Sequence, residues 1–469
     1  MVETQEKEEL KEEVAVERED ETVTYGLVDE TVQLVREFID QEDVEAVRDQ
    51  ITGLHSADIA DLIEYLKPKH RTQLIEFADD LIDADVYTDL DEQVREELVE
   101  DMNASEIAEI VNDLEVDDAI EVLQDLEEED QQEVLKGLAA EDRLVIEEGL
   151  GYGEDTAGRL MQRGFIAVPE YWDIGQTIDY MRDTDDLPTD FYEVYVVDPR
   201  HHPIGTIPLD HAMRSRRHVA VTDIMRREQT LIPVDMDQEE VAYLFKQYRL
   251  SSAAVVNDNG ALIGMITVDD VMDVISEEAE EDILRLGGVG EDDLFGSILD
   301  TTRTRFTWLL VNLFTAILAS VVISFFDATL ERVIALAVLM PIVASMGGNA
   351  GTQTLTVAVR AIATKELTVS NMHRILGKEA LVAFLNGCVF AVLIGLTSWF
   401  WFSDYTIGWV IAVAMVVNML VAGISGMAIP ITLDRYNIDP AVASSVFVTT
   451  ITDVIGFVAF LGIASLVLI

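Results

Sequence analysis

Three patterns of apolar residues follow one another along the chain. Between residues 27 and about 148, apolar positions recur three and four apart, as in Ile59, Leu62, Ile63 and Leu66 and in Ile107, Ile110, Val111 and Leu114. That is the spacing of helices with one buried face. SADIADLIEYL at 56–66 resembles ASEIAEIVNDL at 104–114, and DDAIEVLQDLEEEDQQEVLKGL at 117–138 continues the theme. Short repeated helices of this kind predict a stacked superhelix whose units share a core. From 154 to about 278 the pattern becomes strand, turn, strand, helix. EVYVVD at 193–198 runs through His201, His202 and Pro203 into IGTIPLDHAM at 204–213. SAAVVNDNGALIGMITVDDVMDVI at 252–275 repeats it, with Asp258, Asn259 and Gly260 as the hairpin turn. The third pattern is five nearly uncharged runs, at 306–326, 333–359, 380–403, 405–433 and 440–469. Each is long enough to cross about 30 Å of hydrocarbon as a helix.

The predicted fold class is therefore multidomain, with an all-α superhelical N domain, a tandem α/β pair and a transmembrane bundle of five helices. The expected boundaries are an acidic tail at 1–26, helical repeats at 27–150, the α/β pair at 151–278, a linker helix at 279–305 and the membrane domain at 306–469. The tail has no apolar stretch, so no cleavable signal is expected, and its composition predicts disorder.

Charge sharpens this division. From Thr301 onward eight acidic residues are matched by eight basic ones, so the whole formal charge of −58 lies before that point. So acidic a surface repels nucleic acid and anionic lipid headgroups, attracts cations, and reads as adaptation to high salt. Arg303 and Arg305 precede the first run, and Arg360, Lys365, Arg374 and Lys378 lie between the second and third. Positive-inside reasoning then places the N-terminal half in the cytoplasm and the C-terminus outside, in a multi-pass cell-membrane protein. The one cysteine, Cys388, excludes an internal disulfide and a multi-thiolate zinc site.

Candidate chemistry sits in two of the apolar runs. Asp453 lies 13 residues after Pro440, roughly 20 Å along a helix and so near mid-membrane. A carboxylate there is a functional-site candidate; the alternative is a protonated Asp bonded within the bundle. Thr449, Thr450 and Thr452 add hydroxyls. The second run contains PIVASMGGNAGTQTLTVAVR at 341–360. Pro341, Gly347, Gly348 and Gly351 predict a broken or closely approached backbone, with Asn349 and Gln353 offering polar contacts along a hydrated path. The alternative is small-residue helix packing. Oxygen-only ligands suit a hard cation, and one carboxylate holding a largely hydrated ion suits Mg²⁺. No Walker A loop, HExxH or Ser/His/Asp arrangement is present, so no enzyme is expected.

The two α/β units resemble CBS domains, which implies an intertwined pair that either binds adenine nucleotide, such as ATP, or acts as a regulatory dimer module. PxxxxxGGNxGxQ in the second run and DPAxxSxxFVTTITD in the fifth complete a wider likeness. With the domain order, they make nearly the whole chain similar to the MgtE-type magnesium transporter family. That resemblance implies a homodimer in membrane lipid, a pore lined by the second and fifth spans, and Mg²⁺ as both cargo and regulator. The family's pore aspartate falls on Asp453, and the acid opening the fifth span falls on Asp439. Its regulatory acids fall on Asp270, Asp273, Glu278, Glu281 and Asp282. Glu278, Glu281 and Asp282 share one helix face by spacing alone, where like charges call for cations or solvent. Arg249 stands where the family often has an acid, and is expected to replace a metal ion by bridging carboxylates; the alternative is that it points to solvent and that site is lost. The function implied is Mg²⁺ entry into the cytoplasm, gated by cytosolic Mg²⁺. The alternatives are transport of Co²⁺ or Mn²⁺, or a membrane-anchored nucleotide sensor.

Overall fold

The computed structural model describes residues 26–289 and 298–468, apart from positions 101, 185, 186, 189, 190, 369 and 437. The expected acidic tail, Gly26 excepted, and the middle of the expected linker lie outside the described residues. The chain divides into two compact units, one up to Val271 and one from Met272.

The first unit opens with short helices, from Asp29–Asp40 to Ala140–Leu150. Their apolar stripes meet in a shared core, where Val35, Val47, Leu62, Ile63, Leu74 and Val94 are fully buried. Side-chain caps start some of these helices. Asn103 caps Ala104–Asp113 in a reciprocal capping box with Glu106, satisfying two backbone donors that a helix start leaves open. Two cations, Arg95 and Arg71, are buried with this core. Arg95 is 2% exposed, and donates to Glu121 at 2.6 Å and to Asp125 at 2.7 Å. Nearby, Arg71 donates to Glu97 at 2.6 Å and to the carbonyls of Ile63 and Glu64.

Two three-stranded sheets follow. In the first, β1 (Ala167–Pro169) lies parallel to β2 (Glu193–Val197), which pairs antiparallel with β3 (Pro203–Pro208). The second repeats this with β4 (Leu231–Pro233), β5 (Ser252–Val256) and β6 (Leu262–Thr267). Even the irregularity is shared, since both antiparallel ladders shift register at a Val–Val step. The units exchange edges. Arg226 bridges Thr206 of the first sheet, and Gln162 bridges Met265 of the second. Glycine makes room for each crossing strand. A methyl group at Gly205 would come within 2.8 Å of the Arg226 carbonyl, and one at Gly264 equally close to that of Gln162.

The expected boundary between pair and linker at 278 falls within a single helix. One helix, Val268–Gly287, runs from the second sheet through DDVMDVISEEAEEDILRL without Gly or Pro to stop it. It ends where Gly288 adopts φ +69° and Val289 donates back to the Leu284 carbonyl.

In the second unit, five helices are long and apolar enough to cross a membrane. The spans are Ile298–Ser324, Ala335–Ala363, Met372–Phe402, Tyr405–Arg435 and Pro440–Leu468. The fourth span is the hub, packed against the second, third and fifth, while the first lies mainly on the fifth. The second span is a continuous helix through Pro341 and its glycines, so the expected broken backbone is not found. Gly347 and Gly351 are instead places of close approach: a methyl group at either would overlap a neighbouring span, at Asn418 or at Val448.

Because Arg95 is buried with Asp125, its removal leaves that carboxylate buried without a countercharge. Arg95→Ala should destabilise the helical domain by about 3–5 kcal/mol. Arg71→Ala, whose partner Glu97 is largely exposed, should cost less. Thermal unfolding of the full chain in detergent, read alongside cleavage within residues 27–150, checks the order.

Candidate ion path and acidic cation sites

The second span carries a polar stripe on an otherwise apolar helix. Ser345, Asn349, Thr352, Gln353 and Thr356 are all exposed, at helical spacings of three and four. Asn349 donates weakly to Ser345 at 3.4 Å, and Thr352 and Thr356 return their hydroxyls to carbonyls four residues back. Gly348 has open space where a side chain would stand. Gly347 faces the other way and is buried.

The fifth span carries a second polar set. Ser445, Thr449 and Asp453 are four apart; Thr449 is exposed and Asp453 half-buried. Thr449 and Thr450 donate to the carbonyls of Ser445 and Val446. Thr452 points inward and is fully buried. Asp453 makes no hydrogen bond or ion pair among the described residues, so its oxygens are open to water or a cation.

Asp439 is already engaged. One oxygen accepts from the Ala441 amide at 2.7 Å, capping the fifth span, and the other accepts from Arg285 at 2.7 Å. Arg285 also pairs with Glu281 one turn back on the linker helix. Burial, then the neighbouring Asp439 and Glu278, raise the Asp282 pKa. Of the predicted set, Asp282 therefore lies within electrostatic reach of both Glu278 and Asp439, while Arg285 is the countercharge of Asp439 and Glu281. Asp273 lies exposed on the same helix.

In the first unit the structure adds two acids that the sequence reading missed. Asp117 and Asp118 stand in the first turn of Val116–Gln124, where acids are ordinary helix-start residues, so no sequence signal set them apart. Tertiary packing brings them to Asp270. Gln162 reaches both oxygens of Asp270 at 3.3 Å, and Thr267 donates to it at 2.6 Å. One oxygen of Asp117 is buried without a partner among the described residues. Burial, then Asp270, Asp118 and Glu115, push the Asp117 carboxyl well above its usual range. Burial, then Glu121 and Asp270, push Asp118 to about 7. Asp270 is raised too, chiefly by burial. Among the described residues no three Asp, Glu, His or Cys side chains converge closely enough to hold a metal ion; Asp117, Asp118 and Asp270 are near enough only to raise one another's pKa.

Arg249 does not play the bridging part expected of it. It is exposed, closes the helix Gln238–Tyr248 in a left-handed conformation at φ 54°, and pairs with no carboxylate among the described residues.

A bundle of five membrane-spanning helices with polar faces, preceded in the chain by helical repeats and a CBS pair, is the organisation of a membrane transport protein with soluble domains. Residues 340–463 match the family described as a divalent cation transporter, 54–155 the MgtE intracellular N domain, and 221–277 the CBS domain. The chain is 30% identical over 317 residues to the magnesium transporter MgtE of Bacillus subtilis, covering 67% of this chain and 70% of that one. It is 33% identical over 320 residues to the magnesium transporter MgtE of Thermus thermophilus, covering 68% and 71%. A solved structure of the cytosolic domain of the Mg²⁺ channel MgtE in complex with ATP is 29% identical, with a TM-score of 0.47 over 52% of this chain and 99% of that one. The chain belongs to the MgtE family of divalent-cation transporters.

A carboxyl whose folded pKa is raised favours the folded state when protonated. The penalty at Asp118 is therefore full above about pH 7 and is relieved as pH falls toward the usual value of 3.8. The melting temperature of the full chain in detergent should rise from pH 8 to pH 6. Asp118→Asn should raise it at pH 8 and flatten the slope. A slope unchanged in Asp118→Asn would place the effect elsewhere.

Proposed function

We propose that this protein moves Mg²⁺ into the cytoplasm along a path lined by the second and fifth spans, and that cytosolic Mg²⁺ closes it. The observation that carries the reading is the pair of polar faces, Ser345–Asn349–Gln353 and Ser445–Thr449–Asp453, on helices otherwise exposed through apolar side chains. Hydrocarbon cannot satisfy these groups, so each face must meet water or protein. A second copy of the chain would bring two such faces together around a hydrated passage, with an Asp453 from each. A carboxylate at that depth attracts a divalent ion through its water shell, which Mg²⁺ gives up reluctantly. The membrane potential drives entry, at about 2.3 kcal/mol per charge per 100 mV. The relatives' name, magnesium transporter, supports Mg²⁺ as the cargo.

Gating follows from the uncompensated acids. In the first unit, Asp117, Asp118 and Asp270 repel one another when ionised. A divalent cation would neutralise them and hold the helical repeats against the second CBS unit. At the membrane unit, Glu278 and Asp282 would take a cation beside the Asp439–Arg285 pair, fastening the linker helix to the start of the fifth span. Low cytosolic Mg²⁺ would release both. ATP at the CBS pair, also implied by the CBS resemblance, would act by changing the Mg²⁺ concentration needed for closure.

Two measurements test this reading. In proteoliposomes Asp453→Asn should lower Mg²⁺ flux by at least about tenfold, as expected for a lost charge at the barrier. Flux equal to wild type would remove Asp453 from the path, and competition by Co²⁺ and Mn²⁺ in the same assay ranks the cargo. Limited proteolysis of the full chain should show protection rising with Mg²⁺ at constant ionic strength, less so in Asp118→Asn/Asp270→Asn. Equal protection by NaCl would reduce the effect to screening.

A further inference from the structure

Asn418 stands near the middle of the fourth span and is fully buried. Its Nδ2 donates to the Val343 carbonyl of the second span at 2.8 Å. Its Oδ1 is buried and has no hydrogen-bond partner among the described residues. Glycines bracket the amide on two sides. A methyl group at Gly347 of the second span would overlap it, and one at Gly456 of the fifth would come within 2.9 Å of its Cγ, Nδ2 and Oδ1. The amide thus lies flat between three spans. Gly347 is two residues from Asn349, and Gly456 is three residues, about one helical turn, from Asp453.

Packing alone does not call for an asparagine here. A half-satisfied amide in a membrane bundle is costly, and an apolar side chain would avoid that cost. What an amide adds is direction. Its hydrogen bond fixes the fourth span against one carbonyl of the second, and its plane sets how closely the second and fifth spans approach. Those two spans carry Asn349 and Asp453.

We propose that Asn418 is a positioning residue for cation passage: clamped to Val343 and sandwiched by Gly347 and Gly456, it sets the distance between the Asn349 and Asp453 faces and so the preference among divalent ions. It touches no ion itself. The inference rests on the reading that Mg²⁺ passes Asp453.

The test uses the full chain in proteoliposomes, with flux expressed per folded molecule. Asn418→Leu keeps the branched shape and drops the hydrogen bond, and Asn418→Ala serves if leucine does not fold. Either should raise the apparent KM for Mg²⁺ and shift the ratio of Mg²⁺ to Co²⁺ flux, each by about tenfold, the factor expected when one buried hydrogen bond is lost. Asn418→Asp, protonated in so apolar a setting, keeps a donor for Val343 and should restore the wild-type ratio. If the leucine or alanine variant lowers only the yield of folded protein or its melting temperature, with KM and ion ratio unchanged, Asn418 is mere packing and the inference is overturned. Asp453→Asn is measured alongside. Wild-type flux in that variant would overturn the permeation reading and this inference with it, whereas the former result overturns this inference alone.

Discussion

Hydrocarbon offers no partner to a polar group, and that constraint orders the membrane unit. Each span closes its own backbone hydrogen bonds, and serine and threonine hydroxyls fold back onto carbonyls three or four residues earlier, as at Ser320, Thr352, Thr397 and Thr450. Once those groups are spent, few polar atoms remain. The second and fifth spans carry a polar face each and Asn418 lies between them, while the first and third spans keep Asn312, Asn386 and Ser398. The glycines of the second span serve this economy. They let neighbouring helices come close on the buried face while the opposite face stays polar.

The soluble unit answers the same question with the opposite sign of error. Its surface carries many carboxylates in water at little cost, yet a few are drawn inward. Where an arginine accompanies them, as Arg95 does Glu121 and Asp125, the burial is compensated and the domain is held together. Where none does, as at Asp117, Asp118 and Asp270, the carboxyls hold their protons more tightly instead. A structure that tolerates such a cluster is poised to respond to any cation that enters it. Asp439 sits between these extremes, because Arg285 compensates its charge while Asp282 beside it is left to repel it.

Periodicity, charge and motif made much of this visible in the sequence. The five spans, the two-fold α/β repeat and the prominence of Asp453 follow from rules that act within a few residues: spacing of apolar positions, turn chemistry and the cost of a lone acid in a long apolar run. Tertiary contacts decided the rest. Pro341 and three glycines suggested a broken second span, but the helix runs unbroken through all four, with neighbouring helices packed against Gly347 and Gly351 alone of the three glycines. Arg249 suggested a built-in bridge, but a left-handed cap exposes it to solvent. Asp117 and Asp118 looked like ordinary helix-start acids until folding set them against Asp270, more than a hundred residues away. Asn418 was one polar residue in an apolar run, and only the crossing of three spans showed that both faces of its amide are enclosed. Local spacing is written in the chain, whereas which charges share a cavity depends on how distant helices cross.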